Sequence, residues 1–96
     1  MKPSDALNAH SASIRAVVEA HRGRNARVFG SVLHGCDTHE SDLDILNDPT
    51  PDTTLFDISA IRVELRKLLG VPVDVLTPNG LPDKFRAAVL AEARPV

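Results

Sequence analysis

Fifteen residues, Gly30-Ser-Val-Leu-His-Gly-Cys-Asp-Thr-His-Glu-Ser-Asp-Leu-Asp44, constrain this chain more than any other stretch. Polar and apolar residues alternate at the start of Asp42-Leu-Asp-Ile-Leu46, which is the period of a β-strand. Alternate strand residues share a face. Asp42 and Asp44 therefore point the same way, roughly 7 Å apart along the backbone, while Leu43 and Ile45 point into a core. Ten residues earlier, Gly30-Ser31 opens a small turn that closes at Gly35.

Each half of the stretch suits one kind of ligand. Two carboxylates on one face can hold one or two Mg²⁺, a cation that takes oxygen ligands and keeps part of its shell for waters and phosphates. Paired metal ions about 4 Å apart stabilise both the attacking and the leaving oxygen of a phosphoryl or nucleotidyl transfer. Backbone N–H groups at the start of a short helix or turn form an anion site, to which the Ser31 hydroxyl adds a donor. Gly30 allows close backbone approach. This is not a Walker A loop, because its Gly-Lys-Ser/Thr ending is absent. Asp-x-Asp alone is weak evidence in a chain with nine aspartates, since most surface pairs are solvated turns or caps. The joint spacing is far more restrictive.

The 96 residues predict one domain, 1–96, with one core and no room for a separate substrate domain. With three Phe and no Trp or Tyr, the core must be aliphatic, and a base-stacking single-strand binder is disfavoured. A net charge of −2 gives no electrostatic footprint for nucleic acid, so direct nucleic-acid binding is not expected. Cys36 is the only cysteine, which excludes an internal disulfide. Together with the lack of a signal peptide it predicts a cytoplasmic location. No apolar run approaches a membrane span.

Periodicity predicts a first helix from Ser4 to about His21, with Leu7, Ile14, Val17, Val18 and His21 in phase and Gly23 ending it. Strands follow at Ala26–Phe29 and Asp42–Leu46. After the proline-rich loop 47–52, a second helix spans Thr54 to Leu69, with Leu55, Ile58, Ile61, Leu65, Leu68 and Leu69 as its buried stripe and Gly70 as its stop. Val71–Leu76 reads as a third strand, whose Pro72 suggests an edge or entry position. A turn at 77–80 and a last helix from Pro82 to about Ala93 complete the chain, with Phe85, Val89 and Leu90 as that helix's apolar side. The order α-β-(short α)-β-α-β-α is that of an α/β or α+β domain with a mixed sheet.

Asp74 lies mid-strand among valines, where a lone charge is costly to bury. It either faces outward from an edge strand or stands beside Asp42 and Asp44 as a third carboxylate. In the second case it could ligate the metal and serve as base toward an incoming hydroxyl. That clustering requires the second and third strands to pair. Two other groupings rank lower. His34, Cys36 and His39 do not match a zinc spacing and lack a fourth ligand. Arg22, Arg24 and Arg27 form a small basic run that could meet an acidic partner or RNA, but reads better as a solvated helix end.

Gly30-Ser31, Asp42-Leu-Asp44 and Val73-Asp74-Val75, in this order and spacing, resemble the signature of the minimal nucleotidyltransferases of the DNA polymerase β-like superfamily. The resemblance covers almost the whole chain. It is specific for the superfamily and poor at naming a substrate. It implies that Asp42, Asp44 and Asp74 are a catalytic, Mg²⁺-binding triad. Gly30, Ser31, His34 and Ser41 become the candidate nucleotide-binding residues. The implied reaction is in-line attack on the α-phosphate of a nucleotide with release of pyrophosphate. Stand-alone domains of this size resemble antitoxins that transfer AMP from ATP to a tyrosine of a HEPN-domain ribonuclease toxin. A homodimer or a hetero-oligomer with the toxin is compatible with that reading, and no residue specifies the stoichiometry. Two other readings stay open: a catalytically weak antitoxin that neutralises its toxin by binding alone, and nucleotidyl transfer to a small molecule or tRNA. The chain departs from the family at Leu33-His34-Gly35, where Ala-Arg-Gly is common. An arginine is permanently charged, whereas a histidine is only partly protonated near neutral pH. The departure implies a weaker hold on triphosphate or a pH-dependent activity.

Overall fold

The computed structural model describes every residue from Met1 to Val96. Its elements run α1 (Pro3–Ala20), β1 (Gly23–Phe29), β2 (Leu43–Pro49), α2 (Leu55–Leu69), β3 (Val73–Leu76), a 3₁₀ turn (Pro78–Gly80), α3 (Asp83–Glu92) and β4 (Arg94–Pro95). The four strands form one mixed sheet in the order β3-β2-β1-β4. β1 pairs antiparallel with β2 and β4, and β2 pairs parallel with β3. The α+β class and the mixed sheet are those predicted from the sequence. Pro72 does stand at the entry to an edge strand. It has no N–H to give, and its carbonyl accepts from Leu43 N–H instead. No helix is long and apolar enough to cross a membrane.

One face of the sheet is the core. Ile45 opposes Val28 on β1 and Val75 on β3, and Leu43 opposes Val73. These residues pack with Ile14 and Val18 of α1 and with Ile61 and Leu65 of α2. β2 is an interior strand, and Leu43, Ile45 and Leu46 are wholly buried. An aliphatic core suffices at this size, because each such side chain contributes about 1.5–3 kcal/mol on burial.

The helices are set by their ends. Thr54 and Asp57 cap α2 reciprocally: Thr54 N–H donates to the Asp57 carboxylate, and Asp57 N–H donates to the Thr54 hydroxyl. The accepted backbone bond holds the Asp57 carboxyl below the usual carboxylate range. Gly70 ends the helix in the left-handed region, at φ 68°. α1 has no cap of its own at Lys2. Its cap comes from across the chain, where Asp37 accepts from Ser4 N–H at 2.9 Å. That bond lowers the Asp37 pKa. It also ties the loop after Gly35 to the start of α1. A cap 33 residues away leaves no local sequence signal.

Several expectations need correction. The second strand opens at Leu43, so Asp42 precedes it, and the third opens at Val73 rather than Val71. The segment after Ser31 is a turn and not a helix: His34 N–H donates to Gly30 O and Cys36 N–H to Ser31 O, and no further turn propagates. α1 is interrupted at His10, which has φ −130° and ψ 22°. The stripe proposed for α2 is too wide. Ile58, Ile61, Leu65 and Leu69 define the inward direction, and Leu55 and Leu68, lying off that axis, are 85% and 41% exposed. The apolar side of α3 is not buried either, since no α3 residue is. β4 was not expected, because two residues including a proline carry no strand period. The arginine run lies on and just before β1, and its members go separate ways. Arg22 approaches Asp57 at 3.8 Å, Arg24 binds Gly23 O, and Arg27 pairs with Asp48 at 2.5 Å.

Candidate active site

The sheet's other face carries the chemistry. Residues level across neighbouring strands share a face. Phe29 on β1, Asp44 on β2 and Asp74 on β3 are register partners, so all three lie opposite the core. The pairing of β2 with β3 is what aligns two carboxylates that are 30 residues apart in sequence. Asp42 is exposed just before β2, near enough for its charge to act on Asp44, and Asp74 is exposed on the edge strand.

Asp44 is the half-buried member of the group. Its pKa is pushed up to about 6, first by burial and then by the charges of Asp74 and Asp42. No hydrogen bond or cationic side chain opposes that shift. Asp44 thus feels the charges of both Asp74 and Asp42. No three His, Cys, Asp or Glu side chains converge into a ready-made metal cage. The expected three-carboxylate metal site is therefore not preformed by Asp42, Asp44 and Asp74.

Gly30 touches this cluster directly. It has φ +76°, and a Cβ there would collide with Asp44 Oδ2. Only glycine gives both the left-handed backbone and the room for the carboxylate. Gly30→Ala is therefore expected to displace Asp44 and to lower nucleotidyl transfer by at least ~tenfold, with a stability loss of only about 1–2 kcal/mol from the backbone strain. Parallel rate assays and thermal melts would show the split.

Beyond Gly30, the N–H groups of Ser31, Val32 and Leu33 donate to no backbone carbonyl. Three adjacent free donors at the start of a turn, next to an acidic cluster, form a concavity suited to an anion that arrives with its own cations. The other two candidates are already engaged. The Ser41 hydroxyl accepts from Thr38 N–H at 2.9 Å, which braces the loop before β2. His34 Nε2 stands 3.2 Å from Glu92 Oε2 of α3, with both side chains about half exposed.

Two features of this face had no clear sequence signal. A cleft of about 370 Å³ opens beside Gly30, with Phe29 and Leu76 from the sheet, Leu81 and Pro82 from the linker, and Phe85, Ala88 and Val89 from α3. His34 and Glu92 also line it. The second is Asn47, wholly buried on β2, whose Nδ2 donates to Leu76 O just past the end of the β2–β3 ladder. Its Oδ1 has no donor. Strand alternation from Asp44 through Leu46 would have flagged Phe29 as facing the site, had the register been known.

Sheet, helices and turn together make the fold of a minimal nucleotidyltransferase. A solved structure described as a putative minimal nucleotidyltransferase superposes with a TM-score of 0.86 at 35% identity, covering 97% of this chain and 95% of that one. Residues 12–96 match the nucleotidyltransferase domain family, and the chain belongs to it. It is also similar to a “Putative protein adenylyltransferase” of Methanocaldococcus jannaschii, at 31% identity over 91% of this chain and 94% of the relative. The structure of a toxin-antitoxin with AMP-PNP shares the fold at a TM-score of 0.74 and 16% identity, covering 88% of this chain and 69% of its own. The protein is a nucleotidyltransferase.

Proposed function

We propose that the chain is a Mg²⁺-dependent protein adenylyltransferase, an antitoxin that transfers AMP from ATP to a tyrosine of a HEPN-domain ribonuclease toxin. The observation that carries the chemistry is the placement of Asp44. It is half-buried, pressed against Gly30, coupled to Asp42 and Asp74, and adjacent to three unspent N–H groups. The M. jannaschii relative, named for protein adenylylation, supports a protein as acceptor. The toxin-antitoxin neighbour with AMP-PNP agrees with a toxin partner and an ATP-like donor.

Gly30, Ser31 and the free N–H groups of the turn would hold the β- and γ-phosphates. Asp42 and Asp44, with Asp74, would hold Mg²⁺, which would neutralise charge on the α-phosphate and on the leaving group. Asp74, exposed on the edge strand, is open to an incoming acceptor. Its carboxylate would take the proton of the tyrosine hydroxyl as that oxygen bonds to the α-phosphorus. The bond from the α-phosphorus to the bridging oxygen breaks, and pyrophosphate leaves with the electron pair. The relative named for protein adenylylation favours a protein over a tRNA or a small molecule as acceptor.

One observation favours the alternative of neutralisation by binding alone. His34, where an arginine is common in the family, faces Glu92 rather than the open turn. The decisive experiment combines the protein with Mg²⁺, α-labelled ATP and a HEPN-domain ribonuclease from the same organism. An Asp42→Asn/Asp44→Asn variant serves as control. Label on a tyrosine of the partner, absent with the control, is the expected result. A tight complex without label, in which the control still neutralises, would replace catalysis by occlusion.

A further inference from the structure

The cleft beside Gly30 is continuous with the turn that would hold the phosphates, because Gly30 belongs to both. A nucleotide with its phosphates on that turn has this cleft within reach of its base. At about 370 Å³ it is at the small end for ligand pockets and suits one flat ring system. Phe29 and Leu76 offer one apolar surface, and Phe85 and Val89 of α3 the other.

What the cleft lacks is equally telling. Reading a base edge requires hydrogen-bonding groups that a wrong base would leave unpaired. The lining is mostly apolar, and the carbonyls that border it each already accept one hydrogen bond. Leu76 O accepts from Asn47 Nδ2, and Leu81 O accepts from Arg86 Nη2 at 2.9 Å. Pro78 O, next along the linker, accepts from Arg86 Nε at 2.8 Å. Gly30 O accepts from His34 N–H. The two polar side chains that line the cleft, His34 and Glu92, are paired with each other.

We infer that this cleft binds the nucleobase of the donor nucleotide by its faces and not by its edge, so that the enzyme accepts all four ribonucleoside triphosphates with little discrimination. This rests on the nucleotidyltransferase site proposed above and goes further, to the donor specificity of that site. Contact with apolar and aromatic side chains is tolerant of base identity, because every base has a π-face. Purines gain over pyrimidines only by their larger area.

The test measures binding of ATP, GTP, CTP, UTP and inorganic tripolyphosphate, each with Mg²⁺, by titration calorimetry. It compares the wild type with Ala88→Phe, which fills the cleft from an exposed position on α3. The four nucleotides should bind the wild type within ~tenfold of one another. Ala88→Phe should weaken all four by at least ~tenfold and leave tripolyphosphate unchanged. A preference above ~100-fold for one base would overturn the inference, since face contact cannot supply it. Unchanged nucleotide binding by Ala88→Phe would also overturn it. If that variant then failed to label the partner, the cleft would belong to the acceptor side chain. Failure of the wild type to bind tripolyphosphate or any nucleotide would instead bring down the active-site reading on which the inference stands.

Discussion

Asp44→Asn will lower nucleotidyl transfer by at least ~10³-fold while leaving the protein folded. The expectation follows from where the carboxylate sits. It is the half-buried member of the acidic group, fixed on an interior strand and packed against Gly30. A group that stabilises transition-state charge from a fixed, partly desolvated position is worth ~10²–10³ in rate, and a lost metal ligand adds to that. Asp42→Asn should be nearly as damaging for metal binding, although its exposed position before β2 gives it more freedom to adapt. Asp74→Asn should separate from both. If Asp74 acts mainly on the acceptor's proton, and Asp42 and Asp44 carry most of the hold on the metal, the variant keeps its affinity for Mg²⁺-ATP within a few-fold and loses turnover, with a weakened pH dependence of the residual rate. Single-turnover transfer rates and nucleotide titrations of the three variants would show the pattern. An Asp44→Asn protein with transfer within tenfold of the wild type would remove Asp44 from the chemistry.

The sequence carried the acidic group and the core face for a simple reason. Strand period 2 is local, so Leu43 and Ile45 had to face away from Asp42 and Asp44 wherever the strand lay. Ile61, Leu65 and Leu69 likewise announced the buried side of α2 through helical period. Non-local information was missing. That Asp74 is level with Asp44 depends on parallel pairing across a helix-length connection, which no residue of either strand specifies. Asp37 capping α1 and Asn47 holding Leu76 O are contacts between distant segments. Leu55 and Leu68 were misread because periodicity gives the direction of a helix face but not how far the neighbouring sheet extends beneath it. α3 shows the same limit. Phe85 and Val89 are spaced as a core stripe with Leu90 beside them, yet Phe85 and Leu90 are 53% and 39% exposed. α3 is tied on through Arg86 and the His34–Glu92 pair instead. The cleft exists because that helix stands off the sheet.

Asp44 should also make the cation-free protein less stable as pH rises from about 4 to about 6. Its pKa is about 6 in the folded chain against 3.8 for an ordinary aspartate. Between those values the folded state holds a proton that the unfolded state has released. The stability tied to that proton is fully present below pH ~4 and is lost as pH passes ~6. The shift corresponds to an upper bound of about 3 kcal/mol, and screening at a half-exposed site reduces it to roughly 1–2 kcal/mol. Asp44→Asn removes the charge without breaking a hydrogen bond, so its melting temperature should exceed the wild type's by roughly 5–10 °C at pH 8. At pH 4 the two should nearly coincide. Mg²⁺ should raise the wild-type value at pH 8 and have little effect on the variant, because a bound cation offsets the repulsion that the variant no longer has. Melting curves at pH 4 and pH 8, with Mg²⁺ and with a chelator, test this without any assay of activity. A wild-type protein that is equally stable at both pH values relative to Asp44→Asn would show that the three carboxylates are too well solvated to repel one another. A loss of transfer joined to a gain in stability is the mark of a residue kept for function against the interest of the fold.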